Sequence, residues 1–178
     1  MNYVFFFAVC IYVNIDATKD LQKKHDMILK SSAFKNKEYI PLQYTCDGKD
    51  MSPPLYWSDA PIKTKSFILF CVDQDAPSGE WVHWIVYDIP VHITSFAEGV
   101  DIQKYGAKNG ETSWGEQKKE YHGPCPPSGE HRYFFTLYAL DIEKIDIVSK
   151  PTKNAILDAI KTHILAEAQI VGLYHRKD

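Results

Sequence analysis

The stretch SFILFCVD, residues 66–73, constrains this chain more than any other. Its apolar residues follow one another without alternation, and the run is too short for a buried helix. A strand with no polar side must be covered on both faces, so the fold needs a packed layer above it and another below. The run ends in two acids one residue apart, Asp73 and Asp75, rather than in ordinary turn residues. Residues two apart in extended chain point to the same side, so both carboxylates are set to face one cavity.

The remaining chain reads mainly as short strands. HDMILK and YIPLQYT come first, followed by the polar loop CDGKDMSPPLYW. After SFILFCVD, the run VHWIVYDI stops at Pro90, which cannot continue a ladder. Residues 91–129 are irregular, and a stretch of that length is expected to be functional or wrapped against the surface. HRYFFTLYAL is the clearest strand. Residues 152–168, TKNAILDAIKTHILAEA, carry the one helical pattern, with Ala155, Ile156, Ala159, Ile160, His163 and Ile164 on one face. Thr152, after Pro151, is placed to cap it. QIVGLY then returns as a last strand. Many strands and one late helix predict a mainly β fold, an antiparallel β-sandwich with the C-terminal helix packed at one edge.

With 178 residues, the chain is long enough for one domain with a substantial core. Its formal charge of -3, without a long basic run, argues against a general nucleic-acid partner. The apolar block YVFFFAVCIYV at residues 3–13 is shorter than the ~20 residues of a membrane-spanning helix. It has the length of an export-signal core, so residues 1–17 are read as a signal peptide and 18–178 as a single domain. The competing readings are a first β-strand and a start codon placed too early. Export implies a periplasmic or secreted protein, and the alternative is a cytoplasmic one. Cys71 lies inside the apolar strand as a small hydrophobe. Cys46 and Cys125 both lie in loop sequence and are free to pair in an oxidising compartment. No cysteine or histidine spacing suggests zinc.

Three groups near strand ends can carry chemistry: Asp73 with Asp75, then His83, then His131 with Tyr133 on one strand face. His83 has Ile85 and Tyr87 as its period-two neighbours. Two carboxylates, two imidazoles and a phenol can build one polar pocket. Each also has a plainer reading, since surface loops are rich in acids and a histidine beside tryptophan is often structural. His92, His122 and His175 read as surface residues, His25 has no supporting context, and His163 packs on its helix face.

The motifs CDGKDMSPPLYW, DQDAPSGEWVHWIVYDIP, GPCPPSGEHRYFFTLYALD and HILAEAQIVGLYHR, in this order, resemble the phosphatidylethanolamine-binding proteins. The nearest likeness is to the bacterial branch often called Raf-kinase-inhibitor-like. The resemblance implies a Greek-key β-sandwich with a small anion-accepting pocket near the surface. By that resemblance Asp73, Ala76, Pro77, His83, Pro127, His131 and Tyr133 line the pocket, with Pro77 following a cis bond. Asp75 and Trp81 support it. Gln74 stands where the family usually has proline, so the loop loses one stiff residue and gains an amide donor.

Imidazoles beside a carboxylate tend to stay protonated and then suit phosphate oxygens. The expected function is therefore a non-enzymatic binding protein for phosphate or phosphoethanolamine-type head groups of small ligands or phospholipids. No cofactor is expected. The resemblance leaves open a homodimer, a role in kinase signalling, and a kinase or protease as protein partner, bound through the surface. The residues alone also leave open an Asp/His hydrolase, although no nucleophile motif such as GxSxG is present. A divalent metal held by Asp73, Asp75, His83 and His131 is the other rival. A chain begun at Thr18 is expected to unfold cooperatively in urea, because every family motif lies after it. Failure of that chain to fold would make the apolar block a structural strand.

Overall fold

The computed structural model describes residues 26–115, 120–147 and 150–176. The segment read as an export signal and His25 lie outside the described residues. In chain order the elements are β1 (Ile28–Ser31), β2 (Glu38–Tyr39), β3 (Leu55–Ser58), β4 (Ser66–Asp73), β5 (Trp81–Pro90), β6 (Ser95–Phe96), β7 (Lys108–Asn109), β8 (Glu130–Leu140), α1 (Lys153–Ile160) and β9 (Ile164–His175). They form a six-stranded sheet ordered β2-β9-β8-β4-β5-β7 and a three-stranded sheet ordered β1-β3-β6.

All eight residues of β4 are buried, which its unbroken apolar run requires. One face packs Phe67, Leu69 and Cys71 against Leu29, Leu55, Trp57 and Phe96 of the smaller sheet. The other packs Ile68, Phe70 and Val72 against Ile156 and Ile160 of α1. The helix therefore covers the face of the larger sheet over its central strands, rather than lying at an edge. After β5 the chain crosses to the smaller sheet as β6, returns to the edge of the larger sheet as β7 beside β5, and only then re-enters it on the far side of β4 as β8. That non-sequential return belongs to a Greek-key sandwich.

Several sequence-based boundaries move. Thr152 caps α1, its hydroxyl accepting from the Ala155 amide at 3.3 Å, but the helix stops at Ile160. The sequence ILAEA then begins β9, where Ala139 faces Ala166 and Leu137 faces Ala168 in the β8 ladder. Ala, Leu and Glu favour a helix by propensity, and pairing with a long strand overrides that preference. His163 consequently sits in the turn, its Nδ1 2.8 Å from Asp141 Oδ1. β3 arises within the stretch read as a polar loop, and its Leu55 and Trp57 point inward. YIPLQYT contributes only Tyr39 to a strand before a 3-10 turn at Leu42–Tyr44. The sandwich is also not wholly antiparallel, because β2 pairs with β9 in parallel. Gly172 permits that approach: a Cβ there would lie 2.4 Å from the Ile40 side chain. The described parts of the stretch 91–129 wrap against the sandwich and bury Phe96, Ile102, Ala107 and Tyr121.

Cys46 and Cys125 form a disulfide across 79 residues of sequence. Ile156 has no exposed surface, whereas Ile62 is 97% exposed. Ile156→Ala is expected to lower unfolding free energy by about 2–5 kcal/mol through lost burial and the cavity left behind. Ile62→Ala should stay within about 0.5 kcal/mol of the parent. Urea denaturation of the two variants checks both values.

Candidate functional site

The residues with chemistry gather where β4 ends, β5 begins and β8 begins. Asp73 closes β4 and stands opposite Tyr133 of β8 and Trp81 of β5. Tyr133 and His131 are two apart on β8, so they share a face, and both are buried. The Asp73 carboxylate lies 2.7 Å from His131 Nδ1, with both groups shielded from solvent. Its other oxygen accepts the Asp75 amide at 2.8 Å. The Tyr133 hydroxyl is buried without a hydrogen-bond partner among the described residues. Burial, and then the neighbouring Asp73 charge, push its pKa well up, so it remains a hydroxyl.

Asp75 turns instead to Arg132. It accepts the Arg132 amide at 2.9 Å and the guanidinium at 2.8 and 2.6 Å. The guanidinium holds the Asp75 carboxyl below the ordinary range. This clasp fixes the first turn out of β4 to the start of β8. The two acids therefore do different work, and only Asp73 meets a histidine.

His83 reaches the cluster through a β-bulge. Cys71 pairs with Trp84, but the next residue of β4, Val72, pairs with Val82, leaving His83 as the extra residue of β5. Period-two reading would place it with Ile85, whose side chain faces the helix-side core. The bulge turns it to the opposite face, a common device beside functional sites. There its ring stands edge-on to Tyr133 at 5.1 Å and to Trp114 at 4.9 Å. Its Nδ1 lies 2.7 Å from the His122 carbonyl.

His122 is therefore no mere surface residue. Its amide donates to the His83 carbonyl at 3.2 Å, and its Nδ1 lies 3.1 Å from Asp50 Oδ2. Asp50 also accepts the Gly123 amide at 2.7 Å. Residues 121–125 are held against residues 44–50 by the disulfide, by Tyr121 Oη donating to the Tyr44 carbonyl and by the Cys46 amide donating to Pro124. Gly123 lets the two segments meet, since a Cβ there would lie 2.3 Å from the Tyr44 carbonyl oxygen. Asp50, Trp114 and His122 escaped the sequence reading because their partners are distant in sequence. The available signal was Asp50 inside the CDGKD motif.

Trp81 is half-buried, edge-on to Trp114 at 5.4 Å. Ala76, Pro77 and Pro127 lie on loops at this same end of the sheet, with Pro77 and Pro127 exposed and Ala76 half-buried. The Ala76–Pro77 bond is trans, not cis. The Gly79 amide closes a turn onto the Ala76 carbonyl at 2.9 Å. That puts Pro77 at the second turn position, which trans proline suits, whereas cis proline belongs at the third. A separate cleft of about 410 Å³ lies beyond Asp50, lined also by Trp84, Asp101, Asn109 and Tyr121. Of the residues tied to the cluster it shares Asp50 and Tyr121. Among the described residues, no three His, Cys, Asp or Glu side chains are arranged to hold a metal ion.

The expectation of two protonated imidazoles needs correction at His83. Burial pushes its pKa down from 6.5 to about 4, against weaker opposing help from the His122 carbonyl and Asp73. The unfolded chain therefore binds more protons between those values, and His83 costs the fold stability as pH falls from 6.5 to about 4. His83→Asn keeps an amide donor for the His122 carbonyl and does not titrate. Across that window the parent should lose, relative to His83→Asn, up to about 3 kcal/mol of unfolding free energy. Urea denaturation at neutral and acid pH measures it, and parallel pH profiles would refute the assignment.

Comparison with known proteins follows the same geometry. A model of the phosphatidylethanolamine-binding protein family matches residues 30–175. A UPF0098 protein of Methanothermobacter thermautotrophicus is 45% identical over 153 residues, spanning 84% of this chain and 99% of the relative. A UPF0098 protein of Aquifex aeolicus is 44% identical over 152 residues, spanning 82% and 86%. Among solved structures, a putative phosphatidylethanolamine-binding protein homologue, CT736 of Chlamydia trachomatis, superposes with a TM-score of 0.79 at 37% identity, covering 86% of this chain and 99% of the other. Escherichia coli YbcL, described as a member of the mammalian family, gives 0.77 at 30% identity, covering 85% and 99%. With sequence, fold and strand-end motifs in agreement, the chain belongs to the phosphatidylethanolamine-binding protein family.

Proposed function

We propose that the cluster at the ends of β4, β5 and β8 binds a phosphate-type anion, and that the protein acts as a binding protein rather than an enzyme. One observation carries this reading. A buried Asp73–His131 pair stands beside a buried Tyr133 hydroxyl that makes no regular hydrogen bond among the described residues, although Asp73 and the Cys125 backbone lie near it. Buried polar groups are nearly always hydrogen-bonded, so an orphan hydroxyl next to an ion pair points to a ligand atom. With Nδ1 committed to Asp73, protonated His131 offers Nε2–H to that ligand. A charged donor and a phenol hydroxyl suit phosphate oxygens.

Asp73 positions this donor rather than meeting the ligand. Both of its oxygens are engaged within the protein, by His131 and by the Asp75 amide. A hydrolase is disfavoured because, among the described residues, no activated nucleophile accompanies the acid–base residues. The free cysteine of the described residues, Cys71, is fully buried, and burial pushes its thiol pKa well up. The Cys46–Cys125 disulfide supports work in an oxidising compartment, in keeping with an exported protein.

His131→Ala removes the charged donor, worth about 1.5–3 kcal/mol. Calorimetric titration with inorganic phosphate should show roughly ten- to a hundredfold weaker binding than the parent. A parent that binds no phosphate at any pH would refute the reading.

A further inference from the structure

We propose that this site selects a phosphate group that still carries a hydroxyl, and so prefers inorganic phosphate and phosphomonoesters to phosphodiesters. The inference rests on the anion-binding reading above and concerns which phosphate the site accepts. It follows from the tautomer of His83. A carbonyl oxygen can only accept, so the 2.7 Å contact with the His122 carbonyl places a hydrogen on Nδ1. In neutral imidazole the other nitrogen, Nε2, is then an acceptor.

His83 has no strong reason to take a second proton. It is 3% exposed, with Tyr133 and Trp114 against its ring. The ionisable groups that face it are Asp73, His122 and Tyr133. Asp73 is committed to His131 and to the Asp75 amide. His122 turns its ring to Asp50 and would itself repel a charge on His83. Tyr133 is held as a neutral hydroxyl. Burial prevails, and the imidazole stays neutral down to about pH 4.

The cluster thus offers two donors, protonated His131 and the Tyr133 hydroxyl, and one acceptor, His83 Nε2. A phosphodiester anion carries no hydrogen on its oxygens. Its lone pairs would face that of Nε2, and a buried acceptor would be left unpaired. A monoester monoanion, the main form below about pH 6, carries one P–OH, which donates to Nε2 while its remaining oxygens accept from His131 and Tyr133. Inorganic phosphate keeps a P–OH even as the dianion. The phosphate of a phospholipid is a diester, so below about pH 6 the same logic ranks a free phosphorylated head group above the intact lipid.

Calorimetric titration with methyl phosphate, dimethyl phosphate and inorganic phosphate separates the possibilities. Near pH 5, methyl phosphate is largely a monoanion, since its second pKa lies at about 6. It then matches dimethyl phosphate in charge, and should bind about tenfold tighter or more, the effect of one buried acceptor left unpaired. Near pH 8 methyl phosphate has lost its hydroxyl and inorganic phosphate has not. Raising the pH from about 5 to about 8 should therefore weaken methyl phosphate several-fold relative to inorganic phosphate. That ratio cancels the protein's own titration and does not depend on ligand size. His83→Gln, whose amide can turn a donor toward the ligand, should narrow the gap between monoester and diester. Equal binding of monoester and diester, with a constant methyl phosphate to inorganic phosphate ratio, overturns the selectivity alone. No binding of any of the three overturns the anion reading and the selectivity with it.

Discussion

The structure is organised around a strand that has no solvent side. Because β4 is buried along its whole length, the sandwich must cover one face with the smaller sheet and the other with α1. It must also fix the strand's end firmly, since nothing can slide without exposing apolar surface. Asp73 occupies that fixed end. A carboxylate there is held between the starts of β5 and β8 by ladder pairing with Trp81 and Tyr133. The ion pair with His131 is thus a product of strand register. A one-residue slip of β8 would exchange Arg132 for His131 on the Asp73 side and dissolve the site.

Register alone does not bring His83 in, and the chain solves this with one extra residue. The bulge in β5 reverses the phase of the strand so that His83 faces Tyr133 while Ile85 still faces the helix. A bulge leaves a backbone group unpaired by the ladder, and here residue 122 takes up that role from outside the sheet. The segment around Gly123 is in turn pressed onto residues 44–50 through Asp50 and the disulfide. Three stretches far apart in sequence therefore set one imidazole. This arrangement explains why the cleft beyond Asp50 and the polar cluster, although separate, share a wall.

Much of this was legible in the sequence, for identifiable reasons. SFILFCVD, VHWIVYDI and HRYFFTLYAL became β4, β5 and β8 because continuous apolar runs of that length have few alternatives. His131 and Tyr133 could be paired on paper because period-two logic holds within an unbroken strand, and the resemblance to the family implied that Asp73 joins them. The same logic failed for His83, since a bulge leaves no mark in the residue pattern. It failed too for ILAEA, where Ala166, Ala168 and Ile170 alternate as well as they fit a helix, and the partner strand decided between them. His122 and Trp114 lie in a stretch without periodicity, so their contacts exist only once the chain has folded.

The two site histidines show why residue type is insufficient to assign a role. Both are buried, both sit at strand starts, and both use Nδ1 for a hydrogen bond at 2.7 Å. The partner differs. A carboxylate can balance a proton on His131, whereas a carbonyl supplies a dipole without a compensating charge to His83. Both rings are buried, and what distinguishes them is the charge of the group held at Nδ1. Placing a donor and an acceptor a few side chains apart gives the cluster a polarity that two like histidines would lack. The distinction is set by which backbone or side chain the fold delivers to each Nδ1, and that is fixed by β4 on one side and by the Asp50-anchored loop on the other.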